Sequence, residues 1–164
     1  RRYLLRMLGK QRALAEREGL PFSLAFIDID HFKPINDEYG HSVGDQVLSE
    51  LATLLRESVR EVDLVSRYGG EEFVVLLSGQ SLDAAQTSLQ RLRESIMAAR
   101  FSTLGLRLTV SVGVTEYQPG ENDDELLSRA DGLLYEAKGS GRNRIVAALA
   151  PVQLTLAESA VTES

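Results

Sequence analysis

The chain alternates between segments with helical and with strand-like spacing of its apolar residues. Apolar side chains that recur every three or four positions predict helices, and short apolar runs or strict alternation between turn residues predict strands. The predicted helices cover residues 3–18, about 42–59 with apolar residues from Val47 to Val59, 83–99 and 122–139, the last with Asn122 as its N-cap. The predicted strands are Phe22–Ile29, Asp63–Tyr68, Phe73–Leu77, Leu106–Tyr117 and Arg144–Ala147.

The order of these elements and the composition of the chain fit one domain. A chain of 164 residues, of which 43% are apolar and 26% charged, can bury a full core without covalent staples. Helices interleaved with a hairpin and single strands predict an α/β (α+β) sandwich, in which helices cover a mostly antiparallel central sheet. The chain has no cysteine, which excludes disulfides and thiolate metal ligands.

Charge and terminal residues narrow the possible partners. A net charge of −6 disfavours nucleic acid, whose phosphates are neutralised by Lys and Arg, although a nucleotide can bind where metal ions supply positive charge. No apolar stretch approaches the roughly 20 residues of a membrane span. The chain starts on Arg1 instead of Met, so we expect a fragment of a longer protein. The domain is expected to be cytoplasmic, and a membrane anchor elsewhere in the longer protein stays open.

Two glycines, Gly69 and Gly70, separate two predicted strands and indicate a tight β-hairpin. Two carboxylates, Glu71 and Glu72, follow directly at the start of an apolar run. Acidic residues are depleted in strands, and neighbouring carboxylates repel each other unless a cation or ligand compensates. The hairpin is therefore the predicted location of the chemistry.

Acidic residues also end the first predicted strand, at Asp28 and Asp30. If this strand and the hairpin are neighbours in one sheet, three or four carboxylates converge, and they stay ionised only if divalent cations bind. Oxygen ligands without His or Cys favour Mg²⁺ or Mn²⁺. Two such ions could activate an oxygen nucleophile against a nucleotide phosphate. Solvated strand ends are the alternative for each carboxylate taken singly.

The segment between the first strand and the second predicted helix is polar. Asn36-Asp37 is a plausible turn, and Ser42 with Asp45 three residues later resembles a capping arrangement at the start of the helix. By the same local criteria, Lys138 is a cation that complements the dipole at a helix C-terminus.

Four separated motifs stand in one order and spacing along the chain. They are Phe26–Asp37 (FIDIDHFKPIND), Gly40-His41 with Gly44-Asp45, Arg67–Phe73 (RYGGEEF), and Ala137-Lys138 with Gly141–Arg144 (GRNR). Together they resemble the GGDEF domain of the diguanylate cyclase family, and the resemblance extends from the opening Arg-Arg-Tyr to about Val146. It implies a fold related to class III nucleotide cyclases and polymerase palms. The implied catalytic domain covers residues 1–148, without the family's initial segment, and residues 149–164 are expected to form a flexible tail.

The resemblance implies an activity and its partners. The family condenses two GTP molecules to cyclic di-GMP and releases two pyrophosphates. Each subunit of an antiparallel homodimer holds one GTP together with Mg²⁺ or Mn²⁺, two ions per active site. Cyclic di-GMP is expected as product and inhibitor, and a sensor or receiver domain is expected upstream. The input signal, the downstream pathway and whether the isolated fragment dimerises stay open.

The resemblance also implies roles for individual residues. Asp28, the carbonyl of Ile29 and Glu71 would ligate the metals, and Glu71 with Glu72 would favour deprotonation of the ribose 3′-hydroxyl. The substrate-binding residues are of two kinds, for phosphate and for guanine. The phosphate group comprises Phe32, Lys33, Lys138 and Arg142, with Lys33 also catalytic, and the guanine group comprises Asn36, Asp45 and the nearby His41.

A second motif of the family concerns regulation. Arg60 and Asp63 match its inhibitory R-x-x-D site, and Arg91 falls where the family supplies a second arginine. Two arginines suit contacts with phosphates and the Hoogsteen edges of guanines. An i,i+3 ion pair at a helix end is the alternative reading of Arg60 and Asp63.

Two rival functions remain beside the cyclase. One is a catalytically silent domain of the same family that binds GTP or cyclic di-GMP without turnover, although Asp28, Glu71 and Glu72 are all present. The other is a cyclase that makes a mixed purine dinucleotide. Asp45 argues against it, because a carboxylate accepts hydrogen bonds from guanine N1–H and the 2-amino group and adenine lacks that pair of donors.

Overall fold

One sheet of five strands, in the order β2-β3-β1-β4-β5, forms the centre of the computed structural model, which describes residues 1–151. The strands are β1 (Phe22–Ile29), β2 (Leu64–Gly69), β3 (Glu72–Ser78), β4 (Val110–Glu116) and β5 (Arg144–Ala147). The helices are α1 (Arg2–Glu18), α2 (Phe32–Tyr39), α3 (His41–Ser58), α4 (Leu82–Ala98) and α5 (Asp123–Gly139). All strand pairs are antiparallel except β4 with β5, so the predicted mostly antiparallel sheet flanked by helices is confirmed.

The central strand β1 is buried along its whole length, which explains its continuous apolar run. Its side chains alternate between two cores. Ala25 and Ile27 pack with α3 and α4 on one face, and Leu24 and Phe26 pack with α1 and α5 on the other. Each leucine or phenylalanine buried in this way contributes about 1.5–3 kcal/mol.

The segment between β1 and α3 differs from the sequence prediction. Asn36-Asp37 lies within the helix α2 instead of a turn, and α3 already begins at His41. Gly40 precedes α3, and no side chain caps it, so the predicted capping by Ser42 and Asp45 is wrong. At the start of α5, by contrast, the predicted N-cap Asn122 is confirmed, and the structure adds a reciprocal hydrogen bond from the Asn122 N–H to the Glu125 side chain, which completes a capping box.

A close approach of α2 to α3 explains this difference. A Cβ atom built on Gly44 would lie 1.8 Å from Oδ1 of Asn36 and 3.3 Å from the ring of Phe32. The two helices therefore meet where α3 has no side chain. Packing against α3 therefore stabilises a helix at Asn36-Asp37, where the local sequence suggests a turn.

The strand β4 is shorter than predicted. It begins at Val110, where it pairs with Ile29 at the end of β1. Leu106 instead forms an isolated bridge with Phe101. The alternation of apolar residues continues beyond the last residue of the neighbouring strand, so it overestimates the length of β4.

Two further expectations concern the membrane and the tail. None of the helices in residues 1–151 combines the length and apolar character needed to cross a membrane. Most of the predicted tail, from residue 152 to 164, lies outside the described residues.

Replacing Gly113 by alanine should destabilise the domain by about 3 kcal/mol or more, because overpacking against rigid backbone cannot be relieved by a side-chain rotation. A Cβ atom on Gly113 in β4 would lie 2.1 Å from the Leu134 nitrogen and 2.4 Å from the Ala130 oxygen, both in the backbone of α5. Urea denaturation measures the free energy of unfolding. Gly132→Ala is the matched control in α5: nothing lies within 4 Å of its Cβ, and it should stabilise by about 0.5–1 kcal/mol. Equal effects of the two variants would contradict the packing argument.

Candidate active site

A cavity of about 250 Å³ opens where β1 ends and β3 begins. Asp28 pairs directly with Glu72 across these two strands. Most residues predicted for metal and phosphate binding line this cavity: Asp28, Ile29, Phe32, Lys33, Glu71, Lys138 and Arg142. The residues come from four parts of the chain, so the fold converts separated motifs into one site.

The chain turns sharply between β1 and α2 at the floor of this cavity. His31 adopts the left-handed conformation, with φ of 56°, and α2 begins at the next residue. The first N–H groups of a helix have no intrahelical acceptor and carry the positive end of its dipole. The turn therefore presents backbone donors of α2, beside Phe32 and Lys33, to whatever anion enters the cavity.

Asp28 and Lys138 form an ion pair across the cavity, with 2.7 Å between Oδ2 and Nζ. The Asp28 side chain is 6% exposed and that of Lys138 is 34% exposed. Burial raises the pKa of Asp28 above its usual value; Lys138 opposes this effect, whereas Glu71 and Asp30 reinforce it. The ion pair thus compensates only part of the cost of burying this carboxylate.

Glu72 is a second carboxylate with a raised pKa. Burial is the main cause, followed by the negative charges of Asp28 and Asp131, while Lys138 acts in the opposite direction. Asp131 is not among the site residues predicted from the sequence. Its position seven residues before Lys138, and so on the same face of α5, was the available signal.

Asp30 does not join the other carboxylates in the cavity as a free ligand. Its oxygens accept hydrogen bonds from the Thr109 hydroxyl at 2.7 Å, the Ser111 hydroxyl at 2.6 Å and the Asn143 backbone N–H at 2.9 Å. The fold itself therefore satisfies Asp30, and three of the four predicted carboxylates, Asp28, Glu71 and Glu72, converge at the strand ends.

The donors around the cavity fit a hard cation such as Mg²⁺. Asp28, Glu71 and the backbone of Ile29 line it, and each offers an oxygen ligand, whereas Asp30, which also lines it, already accepts three hydrogen bonds. Within residues 1–151, no group of three or more His, Asp or Glu side chains is arranged to hold a metal by itself. The predicted set contains only two such side chains, so the ion would take its remaining ligands from backbone, water or substrate.

The residues predicted to bind guanine lie apart from the cavity, at the α2–α3 junction. Asn36 contacts this junction at Gly44, and Asp45 is the next residue and exposed. His41 is exposed at the first position of α3. Phe32 lines the cavity and its ring approaches Gly44, so it connects the two regions.

A second cavity, of about 400 Å³, brings together Arg60, Asp63 and Arg91. The Asp63 side chain is 2% exposed and accepts hydrogen bonds from Arg60 Nη2 at 3.1 Å and from the Ser78 N–H at 2.9 Å. The i,i+3 ion pair is therefore formed, and Arg91 of α4 faces the same cavity. Ser78 ends β3, whose first residue is Glu72, so the two cavities lie about 20 Å apart along this strand.

Comparison with known proteins places this geometry in a family. A family model described as "Diguanylate cyclase, GGDEF domain" matches residues 1–144. Diguanylate cyclase DgcM of Escherichia coli is 51% identical over 128 residues, covering 77% of this chain and 31% of DgcM. Diguanylate cyclase DgcP of Pseudomonas aeruginosa is 45% identical over 140 residues, covering 84% of this chain and 21% of DgcP. The chain thus spans a third or less of these relatives.

Solved structures show the same fold. Diguanylate cyclase SiaD of Pseudomonas aeruginosa, in complex with its activator SiaC, superposes with a TM-score of 0.86 at 43% identity, over 90% of this chain and 58% of SiaD. The coiled coil and GGDEF domain of DgcB from Caulobacter crescentus, in complex with c-di-GMP, has a TM-score of 0.84 at 33% identity, over 90% of this chain and 80% of that one.

Replacing Asp28 by asparagine should raise the melting temperature at neutral pH. The folded-state pKa of Asp28 is raised, so its ionised form opposes folding. Below the unfolded pKa the carboxyl is protonated in both states and the parent has no disadvantage. The advantage of the variant should grow as pH rises from about 4 through the raised pKa. Thermal melts at pH 4 and pH 7.5, without divalent cations, measure this difference.

The matched control is Asp30→Asn, at the same strand end. The amide NH₂ would replace one of the two oxygens and face either the Ser111 hydroxyl or the Thr109 hydroxyl and the Asn143 N–H, so at least one hydrogen bond is lost and the melting temperature should fall at neutral pH. A lower melting temperature for Asp28→Asn at pH 7.5 than for the parent would show that the ion pair with Lys138 outweighs burial.

Proposed function

We propose that this chain, which belongs to the diguanylate cyclase GGDEF-domain family, condenses two GTP molecules to cyclic di-GMP and two pyrophosphates. The observation that carries the proposal is the 250 Å³ cavity, where carboxylates from the end of β1 and from the hairpin before β3 face cationic side chains from α2, α5 and the turn after α5. Carboxylates that accept a proton and cations that stabilise a leaving phosphate are what nucleotidyl transfer needs.

The proposed reaction forms one bond and breaks one bond in each of two equivalent steps. The ribose 3′-oxygen of one GTP bonds to the α-phosphorus of the other, and the bond from that phosphorus to the bridging oxygen breaks. Pyrophosphate leaves with the electron pair, and the hydroxyl proton passes to a carboxylate. Glu71 and Glu72 are the proposed acceptors, and burial raises the pKa of Glu72 above its ordinary value, which makes its carboxylate a stronger base than an exposed glutamate.

Asp28, the carbonyl of Ile29 and Glu71 are the proposed ligands of Mg²⁺ or Mn²⁺, with two ions per active site. The ions, when bound, would acidify the attacking hydroxyl and neutralise phosphate charge. The pKa of Asp28 stays raised even though Lys138 contacts it, so one cation does not fully offset the cost of burying this charge. A bound metal ion would add the missing positive charge and stabilise the ionised carboxylate, which supports this proposal.

Lys33, Lys138 and Arg142 are the proposed phosphate-binding residues, and all three line the cavity. The start of α2, with Phe32, adds backbone donors. Cations that contact the β- and γ-phosphates stabilise the charge that develops on the departing pyrophosphate, so they act most strongly in the transition state.

Asn36 and Asp45 are proposed to read the guanine edge, with His41 beside them. Asp45 is exposed and can accept from N1–H and the 2-amino group of guanine. The contact of Asn36 with Gly44 supports this role, because it holds Asn36 next to Asp45. Guanine would then lie at the α2–α3 junction and its phosphates in the cavity.

Two further proposals concern the assembly and its control. Because each copy offers one cavity for one GTP, two copies have to face each other for catalysis, and the longer protein would bring them together through an upstream sensor or receiver domain. Cyclic di-GMP is proposed to inhibit by binding Arg60, Asp63 and Arg91. Their joint cavity and the two arginines support this role.

The product assay tests the catalytic proposal. The chain is incubated with GTP and Mg²⁺ over a wide range of protein concentration, and chromatography with mass spectrometry identifies the products. We expect cyclic di-GMP and pyrophosphate in a ratio of one to two, specific activity that rises with protein concentration, and loss of activity with a chelator. Glu72→Gln should bind GTP with little or no turnover.

Two outcomes would contradict parts of this proposal. Absence of product even from a forced-dimer fusion freed of bound nucleotide would favour a domain that only binds GTP or cyclic di-GMP. A different dinucleotide would show that Asp45 does not select guanine.

Replacing Arg60 by alanine should raise the concentration of cyclic di-GMP needed for half-inhibition at least tenfold, because the guanidinium lines the second cavity and holds Asp63. Initial rates of pyrophosphate release at increasing cyclic di-GMP measure this concentration. Arg56→Ala is the control, since Arg56 is an exposed arginine in the last turn of α3 that does not line this cavity. Equal inhibition of both variants would place the inhibitory site elsewhere.

A further inference from the structure

The turn between α5 and β5 has an unusual backbone. Arg142 and Asn143 are consecutive and both adopt positive φ angles, 62° and 45°. Non-glycine residues rarely enter this region, and they persist there only when neighbouring groups hold them. Arg142 lines the active-site cavity, so the strained backbone lies directly under a proposed phosphate ligand.

The three shortest hydrogen bonds to this turn join it to other segments of the chain; in addition, Arg93 Nη1 donates to the Asn143 carbonyl at 3.4 Å and Arg144 Nε to the Arg142 carbonyl at 3.1 Å. The Asn143 N–H donates to Asp30 at 2.9 Å, and the Arg142 N–H donates to the Ala137 carbonyl at 3.0 Å. The third bond comes from α4, where Nη1 of Arg93 donates to the side-chain oxygen of Asn143 at 2.7 Å. This last contact joins residues 50 positions apart in the chain.

Arg93 is itself held in place for this contact. Its Nε donates to the side chain of Gln90 at 3.3 Å, one turn earlier in α4, and the residue is half-buried. The helix packs on the sheet through other residues, namely Ala85, Leu89, Leu92 and Ile96. Loss of the guanidinium should therefore release the turn without disturbing the core.

We propose that Arg93 and Asn143 are positioning residues that hold Arg142 in the geometry needed to bind the β- and γ-phosphates of GTP. The proposal rests on the proposed function of the cavity. Arg93 does not line the cavity and acts only through Asn143, which accepts from it through the side chain and donates to Asp30 through the backbone. Asp30 joins the same turn to the end of β1, next to the base of α2.

Calorimetry with a non-reactive ligand tests this proposal without turnover. The probe is the α,β-methylene analogue of GTP with Mg²⁺, because the bond that the reaction breaks is replaced, and GMP is the matched probe without the terminal phosphates. Arg93→Ala should weaken the affinity for the analogue about tenfold, a change of about 1.4 kcal/mol, and leave that for GMP unchanged. Arg93→Lys should recover only part of the loss, since one ammonium replaces the planar fork.

A double-mutant cycle separates positioning from a structural role. If Arg93 acts through Arg142, Arg93→Ala should cause no further loss in an Arg142→Ala background. Gln86→Ala is the control, because Gln86 lines the same groove between α4 and the turn, whereas the hydrogen bonds from α4 to Asn143 come from Arg93. Its affinity for both probes should equal that of the parent chain.

Two other results of the binding measurements would overturn the proposal. An unchanged affinity of Arg93→Ala for the analogue would show that the turn needs no support from α4. Equal losses for the analogue and GMP, or additive losses in the cycle, would show a structural role. A parent chain that binds the analogue in the expected pattern but forms no cyclic di-GMP would contradict the proposed function and leave the positioning role standing.

Discussion

A single buried carboxylate, that of Asp30, holds together the segments that enclose the candidate active site. It joins the end of β1 to Thr109 and Ser111 at the start of β4 and to the turn that follows α5. Hydrogen bonds to a charged group contribute about 1.5–3 kcal/mol each, and leaving such a group without partners in the interior costs more. We therefore expect the end of β1, the start of β4 and the turn after α5 to separate together if these hydrogen bonds break, and the shape of the cavity depends on all three segments.

The neighbouring carboxylate, that of Asp28, is buried with fewer compensating interactions. Asp28 is two residues away on the same face of β1, and burial raises its pKa even though Lys138 contacts it. A sequence selected only for stability would place an apolar residue or a better-satisfied one there. Three hydrogen bonds from the fold compensate the buried Asp30 carboxylate, whereas Asp28 has one ion pair that offsets only part of its cost of burial. Asp28 therefore remains available to interact with a cation in the cavity where we propose that the reaction takes place.

Local signals account for the parts of the structure that were predicted from the sequence. The apolar run of β1, the glycine hairpin and the N-cap at Asn122 depend on residues close in sequence, and all three predictions were correct. The helix α2 was missed because it depends on the packing of Asn36 against Gly44, which no local pattern reveals.

The roles of side chains at the site were harder to predict for the same reason. Asp28 and Asp30 are equivalent by pattern, and only the arrival of Thr109, Ser111 and Asn143 distinguishes them. The contact between Arg93 and Asn143 likewise joins elements that are far apart in the chain. Residue types and spacing show which side chains could bind a metal or take part in proton transfer. Tertiary contacts decide which of these side chains are already hydrogen-bonded within the fold.

The packing at Gly44 also has a consequence for nucleotide recognition. Any side chain at this position would overlap Oδ1 of Asn36, 1.8 Å from the new Cβ, before it could make a useful contact. The two positions are therefore coupled: residue 44 can gain a side chain only if the side chain of residue 36 turns away or becomes smaller. Because Asn36 is a proposed guanine contact, such a change would alter nucleotide recognition through a residue that does not itself touch the base.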